Sequence, residues 1–176
     1  MKQFVISIRV MNKFGVLTRV ASMFSRRGFN IDSLTVSATE TEGISRMTIT
    51  ATGDEYVKKQ IILQLNRLHE VVEISEMPYE TTLARELLLI KIKNQSQSHQ
   101  EIMDAVNIFK ANIIDYAPDS FCIEVTGESS KLDTFISVLK PFGIIEMCRT
   151  GVVALQRGSD CLREMDMTYL REYKNK

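Results

Sequence analysis

The residues best placed to do chemistry lie between Met11 and Asp32. The run Met11-Asn12-Lys13-Phe14-Gly15-Val16-Leu17-Thr18-Arg19-Val20 sets one glycine between two patterned segments, and Phe29-Asn30-Ile31-Asp32 follows shortly after. Ahead of the glycine, Phe4, Ile6, Ile8 and Val10 alternate with Val5, Ser7 and Arg9, the period of a half-buried strand. Behind it, Leu17, Val20, Ala21 and Phe24 fall on one face of a helix. The backbone must turn at Gly15, which adopts positive φ without strain and carries no Cβ to obstruct a ligand. The first N–H groups of a helix have no intrahelical acceptor, and the helix dipole adds positive potential there. Such a turn suits an anion. A phosphate loop would want further glycines and a lysine after them, which this run lacks, so the residues suggest a small carboxylate. The competing reading is a plain strand-to-helix turn with a convenient glycine.

Elsewhere the sequence offers little catalytic equipment. It has no Ser/His/Asp order with a nucleophile turn, no HxxxH or CxxC spacing and no dinucleotide glycine fingerprint. His69 and His99 stand far apart beside polar residues and read as surface side chains. Cys122, Cys148 and Cys161 are odd in number and widely spaced, which argues against a disulfide framework or a zinc site and for reduced thiols. Twenty-two basic residues balance twenty-two acidic ones, so charge gives no case for a nucleic-acid or membrane partner. The N-terminus alternates like a strand rather than a signal peptide, and no run approaches the ~20 apolar residues of a membrane helix, so a cytoplasmic protein is expected. These absences point towards a binding or regulatory module.

The periodicities also define a scaffold. Arg26-Arg27-Gly28 closes the first helix, with cations in its last turn and glycine just beyond. Residues 31–39 and 44–51 read as strands around the turn Glu40-Thr41-Glu42-Gly43. Asp54 is set to cap a helix whose stripe is Val57, Ile61, Leu65 and Leu68, and residues 71–77 form a strand stopped by Pro78. Strand, helix, strand, strand, helix, strand is the order of a ferredoxin-like sheet with both helices on one face. After a polar connection the pattern repeats. Residues 87–93 form a strand, and Ile102, Ala105, Val106 and Phe109 mark a helix. Residues 112–117 and 120–126 flank Pro118-Asp119, and Ser129 or Ser130 caps a helix carrying Leu132, Phe135, Ile136 and Leu139. Residues 144–148 close the set, followed by Val152-Val153-Ala154-Leu155. The expected class is α+β, two ferredoxin-like βαββαβ domains in tandem. They are a first domain over 1–78, a linker over 79–84, a second domain over 85–158 and a charged tail over 159–176. In the tail, Leu162, Met165, Tyr169 and Tyr173 have helical spacing, fitting either a docking helix or a solvated tail.

Asn12 to Val20, with Phe24-Ser25-Arg26-Arg27-Gly28-Phe29-Asn30-Ile31-Asp32-Ser33-Leu34-Thr35-Val36, resembles the small regulatory subunit of acetolactate synthase (acetohydroxyacid synthase). Ser45-Arg46-Met47-Thr48-Ile49, Arg85-Glu86-Leu87-Leu88-Leu89-Ile90-Lys91-Ile92 and Arg149-Thr150-Gly151-Val152-Val153-Ala154-Leu155 resemble the same family. The similarity runs in order from residue 2 to about residue 158, and the tail after Gly158 departs from the common pattern.

The resemblance implies that the first domain is an amino-acid-sensing ACT domain and the second a module of related topology. It implies a homodimer that binds separate catalytic large subunits, which carry thiamine diphosphate, magnesium and FAD and join pyruvate to pyruvate or 2-oxobutyrate. The small subunit has no catalysis or cofactor of its own. It raises the partner's activity and confers feedback inhibition by a branched-chain amino acid, usually valine. By the same resemblance Asn12, Gly15, Val16, Leu17, Asn30 and Ile31 form the effector site, with Asn30 and Ile31 contributed across the dimer interface. The residue chemistry agrees: backbone N–H groups at Gly15, Val16 and Leu17 suit a carboxylate, and the side-chain carbonyls of Asn12 and Asn30 suit an ammonium. Val16, Leu17 and Ile31 suit a small aliphatic side chain. An amino-acid-responsive transcription regulator would need a basic helix-turn-helix, which neither half supplies, and a small enzyme would need converging titratable groups.

Overall fold

The computed structural model describes residues 2–94, 97–159 and 162. They fall into two compact units, one running to Leu83 and resuming at Val152, the other spanning Ala84–Gly151.

The first unit holds β1 (Lys2–Met11), α1 (Val16–Arg26), β2 (Ser33–Ala38), β3 (Ile44–Gly53), α2 (Glu55–Leu65) and β4 (Val71–Glu76). Its sheet runs β2-β3-β1-β4 with every neighbouring pair antiparallel, the ferredoxin-like arrangement expected from the order of elements. Phe4, Ile6, Ile8 and Val10 of β1 share a core with Val20 and Phe24 of α1 and Ile61 and Leu65 of α2. Each such fully buried side chain contributes about 1.5–3 kcal/mol relative to exposure. Helix α1 stops where the sequence says it should. Phe29 N–H donates to Phe24 O at 3.0 Å and Gly28 N–H to Ser25 O at 3.1 Å, with Gly28 at φ 69°. The Phe24 and Phe29 rings meet edge-on at 6.4 Å, the apolar contact that accompanies this stop. Asp54 caps α2, accepting from Val57 N–H at 2.8 Å.

One expectation about β1 fails. The alternation suggested a half-buried strand, yet Val5, Ser7 and Arg9 are buried as fully as the residues between them. Alternating residue type reports polarity, and these polar groups are buried because they have partners: Arg46 Nε donates to Ser7 Oγ at 2.8 Å and Arg9 Nη1 to Glu73 at 3.0 Å.

The second unit's elements are β5 (Thr82–Lys93), α3 (His99–Phe109), β6 (Asn112–Tyr116), β7 (Ser120–Gly127), α4 (Ser129–Leu139) and β8 (Ile144–Arg149). The sheet order β6-β7-β5-β8 repeats that of the first unit, and Leu88, Ile90, Ile92, Phe121, Ile123 and Phe135 fill its core. The chain passes from one unit to the other between Leu83 and Ala84, inside the stretch read as a linker, which holds a one-turn helix Tyr79–Thr81 and the start of β5. A short strand β9 (Val153–Gln156) groups with the first unit, where Arg157 N–H donates to Thr81 O at 2.8 Å.

Neither serine caps α4. Glu128 is the N-cap residue, without a side-chain cap bond, and Ser129 Oγ donates to Glu86 instead. That buried carboxylate also receives Arg149 Nε at 2.6 Å, while Arg149 Nη1 reaches Asp133 at 2.7 Å, which ties β5, β8 and α4 together. Burial works to lower the Arg149 pKa, but the bonds to Asp133 and Glu86 outweigh it and the net shift is upward. His99 also departs from its reading as a surface residue, since it is half-buried with its ring 5.4 Å from Phe121. Cys122 and Cys148 are free thiols, and the tail residues Cys161, Met165, Tyr169 and Tyr173 lie outside the described residues.

Candidate effector site

Gly15 takes φ 81° and ψ −4° between the end of β1 and the start of α1. It is the N-cap residue, has no side chain to cap with, and accepts Arg19 N–H on its carbonyl at 3.0 Å. Val16 N–H reaches Lys13 O only at 3.4 Å, and among the described residues the N–H groups of Leu17 and Thr18 have no acceptor. The first turn carries no acidic side chain. Apart from its chain neighbours, no atom of the described residues lies within 4 Å of where a Cβ on Gly15 would stand. The helix start is therefore an open cluster of donors with the positive end of the dipole behind it.

Around it, Asn12, Phe14 and Leu17 are exposed, and Asn12 N–H is anchored to Gly43 O at 2.7 Å. Val16 differs from its expected use as an apolar wall: its side chain is in the core, which leaves its backbone for a ligand. Phe14 is fully exposed beside Gly15 although it was not among the expected site residues. An aromatic inside an otherwise polar turn was the available signal. Asn30 is exposed and donates Nδ2–H to Asp32 Oδ1 at 2.8 Å, leaving its side-chain carbonyl turned to other uses. Ile31 is partly buried against the core.

The six residues do not gather within one chain. Asp32 N–H bonds Thr50 O, Thr50 stands opposite Val5, and Met11 stands opposite Ile44. Asn30 and Ile31 therefore sit at the level of Val5, about six strand residues or ~20 Å from Met11 and Asn12. Asn12, Gly15, Val16 and Leu17 lie together at the start of α1, and Asn30 with Ile31 lies beyond its other end. Among the described residues, no three His, Cys, Asp or Glu side chains cluster as a metal site, and no helix is long and apolar enough to cross a membrane.

The comparisons with known proteins agree with this architecture. Residues 6–73 match the family described as the AHAS small subunit-like ACT domain, and residues 85–158 match the small subunit of acetolactate synthase. The fold and its sequence are thus those of an ACT-type regulatory module. The acetolactate synthase small subunit of Mycobacterium bovis is 46% identical over 157 residues, covering 89% of this chain and 94% of that protein. That of Aquifex aeolicus is 41% identical over 157 residues, 89% of this chain and 82% of its own. The crystal structure of the Thermotoga maritima acetolactate synthase small subunit superposes with TM-score 0.85 at 40% identity, covering 91% of this chain and all of that one. The chain belongs to the acetolactate synthase small-subunit family, and as a small subunit it implies a catalytic partner.

Proposed function

We propose that two copies of this chain bind a branched-chain amino acid, valine in the first instance, between their ACT domains. Binding would govern a cytoplasmic catalytic acetolactate synthase subunit, which holds thiamine diphosphate, magnesium and FAD. The observation that carries this reading is the open start of α1, where Gly15 leaves backbone donors uncapped beside exposed Asn12 and Leu17. A carboxylate supplies the missing cap.

The two separated half-sites support a shared pocket. Strand β2 is an edge of its sheet, and its Val36 is 42% exposed. If two β2 edges pair antiparallel about a two-fold axis, the start of one strand lies opposite the end of the other. The end of β2 is level with the end of β1, because Ala38 and Val10 both face Ser45. Asn30 and Ile31 of one copy then approach Asn12 and Gly15 of the other. An effector bridging the copies favours the dimer geometry it fits, and a catalytic partner that senses that geometry is regulated by the difference in binding free energy.

Calorimetric titration of the purified chain with valine, leucine and isoleucine tests the site, and acetolactate formation by the reconstituted enzyme tests the consequence. Saturable binding of one of these, with parallel loss of activity, is expected. Absence of binding by all three at millimolar concentration would remove the effector assignment.

A further inference from the structure

The sheet face of the first unit turned away from α1 and α2 carries four side chains in one register row: Ser37 on β2, Arg46 on β3, Arg9 on β1 and Glu73 on β4. Two guanidinium groups thus stand opposite each other on adjacent strands, where like charges oppose pairing. Neither escapes to water. The Arg9 side chain is 8% exposed and Arg46 is half-buried. Burial lowers the Arg46 pKa from its ordinary value; Glu40 opposes that shift and the charge on Arg9 adds to it.

The counter-charges are uneven. Glu73 takes Arg9 Nη1 at 3.0 Å, whereas Glu40 stands 3.7 Å from Arg9 Nη2 and has a side chain 72% exposed on the loop after β2. Arg9 Nη2 also donates to Thr41 Oγ1 at 2.9 Å. Arg9 Nε is buried and has no acceptor among the described residues. A buried cationic donor left unmade is costly, and native proteins rarely keep one without a reason. The row borders a cavity of about 430 Å³, to which Arg9, Arg46, Ser37, Thr39 and Glu40 contribute, with Leu155 and Leu162 as an apolar wall. That volume is in the range of small-molecule sites.

We propose that this cavity binds a small oxyanion, a carboxylate or phosphate group, held by the guanidinium groups of Arg9 and Arg46 with the Ser37 hydroxyl beside them. Glu40 is the built-in competitor, lying over Arg9 when the cavity is free and swinging outward when an anion enters. The site is on the opposite sheet face from α1, so it stands independently of the amino-acid site proposed at Gly15.

The full chain is titrated with inorganic phosphate, and separately with acetate, against chloride at equal ionic strength. Thermal unfolding and the arginine Nε–H resonances are followed together. Saturable shifts of the Arg9 and Arg46 Nε–H signals, with a melting temperature raised beyond the chloride control, are expected. Glu40→Gln removes the competing carboxylate from an exposed loop and should tighten binding severalfold. Arg46→Gln should weaken it about tenfold, the loss of one charge-assisted contact. Ser37→Asp, at an exposed position, should abolish the phosphate response while leaving the chain folded, and decides the matter if Arg46→Gln does not fold. Equal effects of phosphate, acetate and chloride on the wild-type chain would overturn the proposal. So would shifts that arise only on adding the catalytic subunit, since the anion would then be a side chain of that partner.

Discussion

Gly15 is where strain and charge must be separated, because its φ of 81° penalises any side chain whatever its charge. Asparagine and aspartate are the residues that tolerate this conformation best, and they differ chiefly in charge. Gly15→Asp should therefore weaken valine binding at least tenfold, since it would replace the proposed charge-assisted contact, worth about 1.5–3 kcal/mol, with repulsion. Gly15→Asn carries the same backbone strain and should retain most of the inhibition by valine. Equal loss in both variants would assign the effect to the turn and not to an anion. Asn30→Ala removes the proposed partner of the ammonium and also releases Asp32 from its 2.8 Å bond. It should raise the valine concentration for half-inhibition more mildly, with activation of the catalytic subunit kept. Reconstituted acetolactate formation against rising valine measures all three.

At the scale of elements, the two units solve the same problem with different residues. Helix α3 ends as α1 does: Ala111 N–H donates to Val106 O at 2.9 Å and Lys110 N–H to Asn107 O at 3.2 Å, but the left-handed position holds Lys110 at φ 52° instead of glycine. The strain of a side chain there, about 1–2 kcal/mol, exceeds the entropy cost of glycine, about 0.5–1 kcal/mol. Lys110→Gly should stabilise the protein by roughly 0.5–1 kcal/mol, read as a higher urea midpoint, and an unchanged or lower midpoint would contradict this account. The α1 stop was legible because glycine sat at its end, while the α3 stop carries no such residue. The order of strands and helices was legible for the same kind of local reason, apolar spacing and turn residues. What could not be read was tertiary: Ser129 binds Glu86 instead of capping α4, Arg9 is buried opposite Arg46, and the two groups of proposed effector residues lie ~20 Å apart measured along the direction of β1. Edge strand β2 gives a further test. A lysine at Val36, exposed on that edge, should weaken self-association without unfolding the chain, because an edge lysine opposes pairing with another strand. Light scattering at micromolar concentration would show unchanged dimers if β2 is not the contact.

At the scale of the whole molecule, regulation is a property of an assembly, so it must be visible in how assembly responds to ligand. The chain alone should form no acetolactate from pyruvate even with thiamine diphosphate, magnesium and FAD supplied, and turnover by a contaminant-free preparation would defeat the regulatory reading. The sharper expectation concerns linkage. If Asn30 and Ile31 of one copy complete the site that Asn12 and Gly15 begin in the other, the separated chain holds only half a site and binds valine poorly. Mass action then requires valine to tighten the dimer. At a valine concentration a hundredfold above its dissociation constant, each of the two symmetry-related shared sites adds about 2.7 kcal/mol, together a factor of roughly 10,000 in the dimer dissociation constant. Dilution of the chain with and without valine, followed by sedimentation or light scattering, measures that factor directly. Leucine and isoleucine should act in proportion to their own affinities. Valine that binds while leaving the dimer constant unmoved would place the site within a single chain, and Asn30 and Ile31, at the far end of α1, would have no part in it.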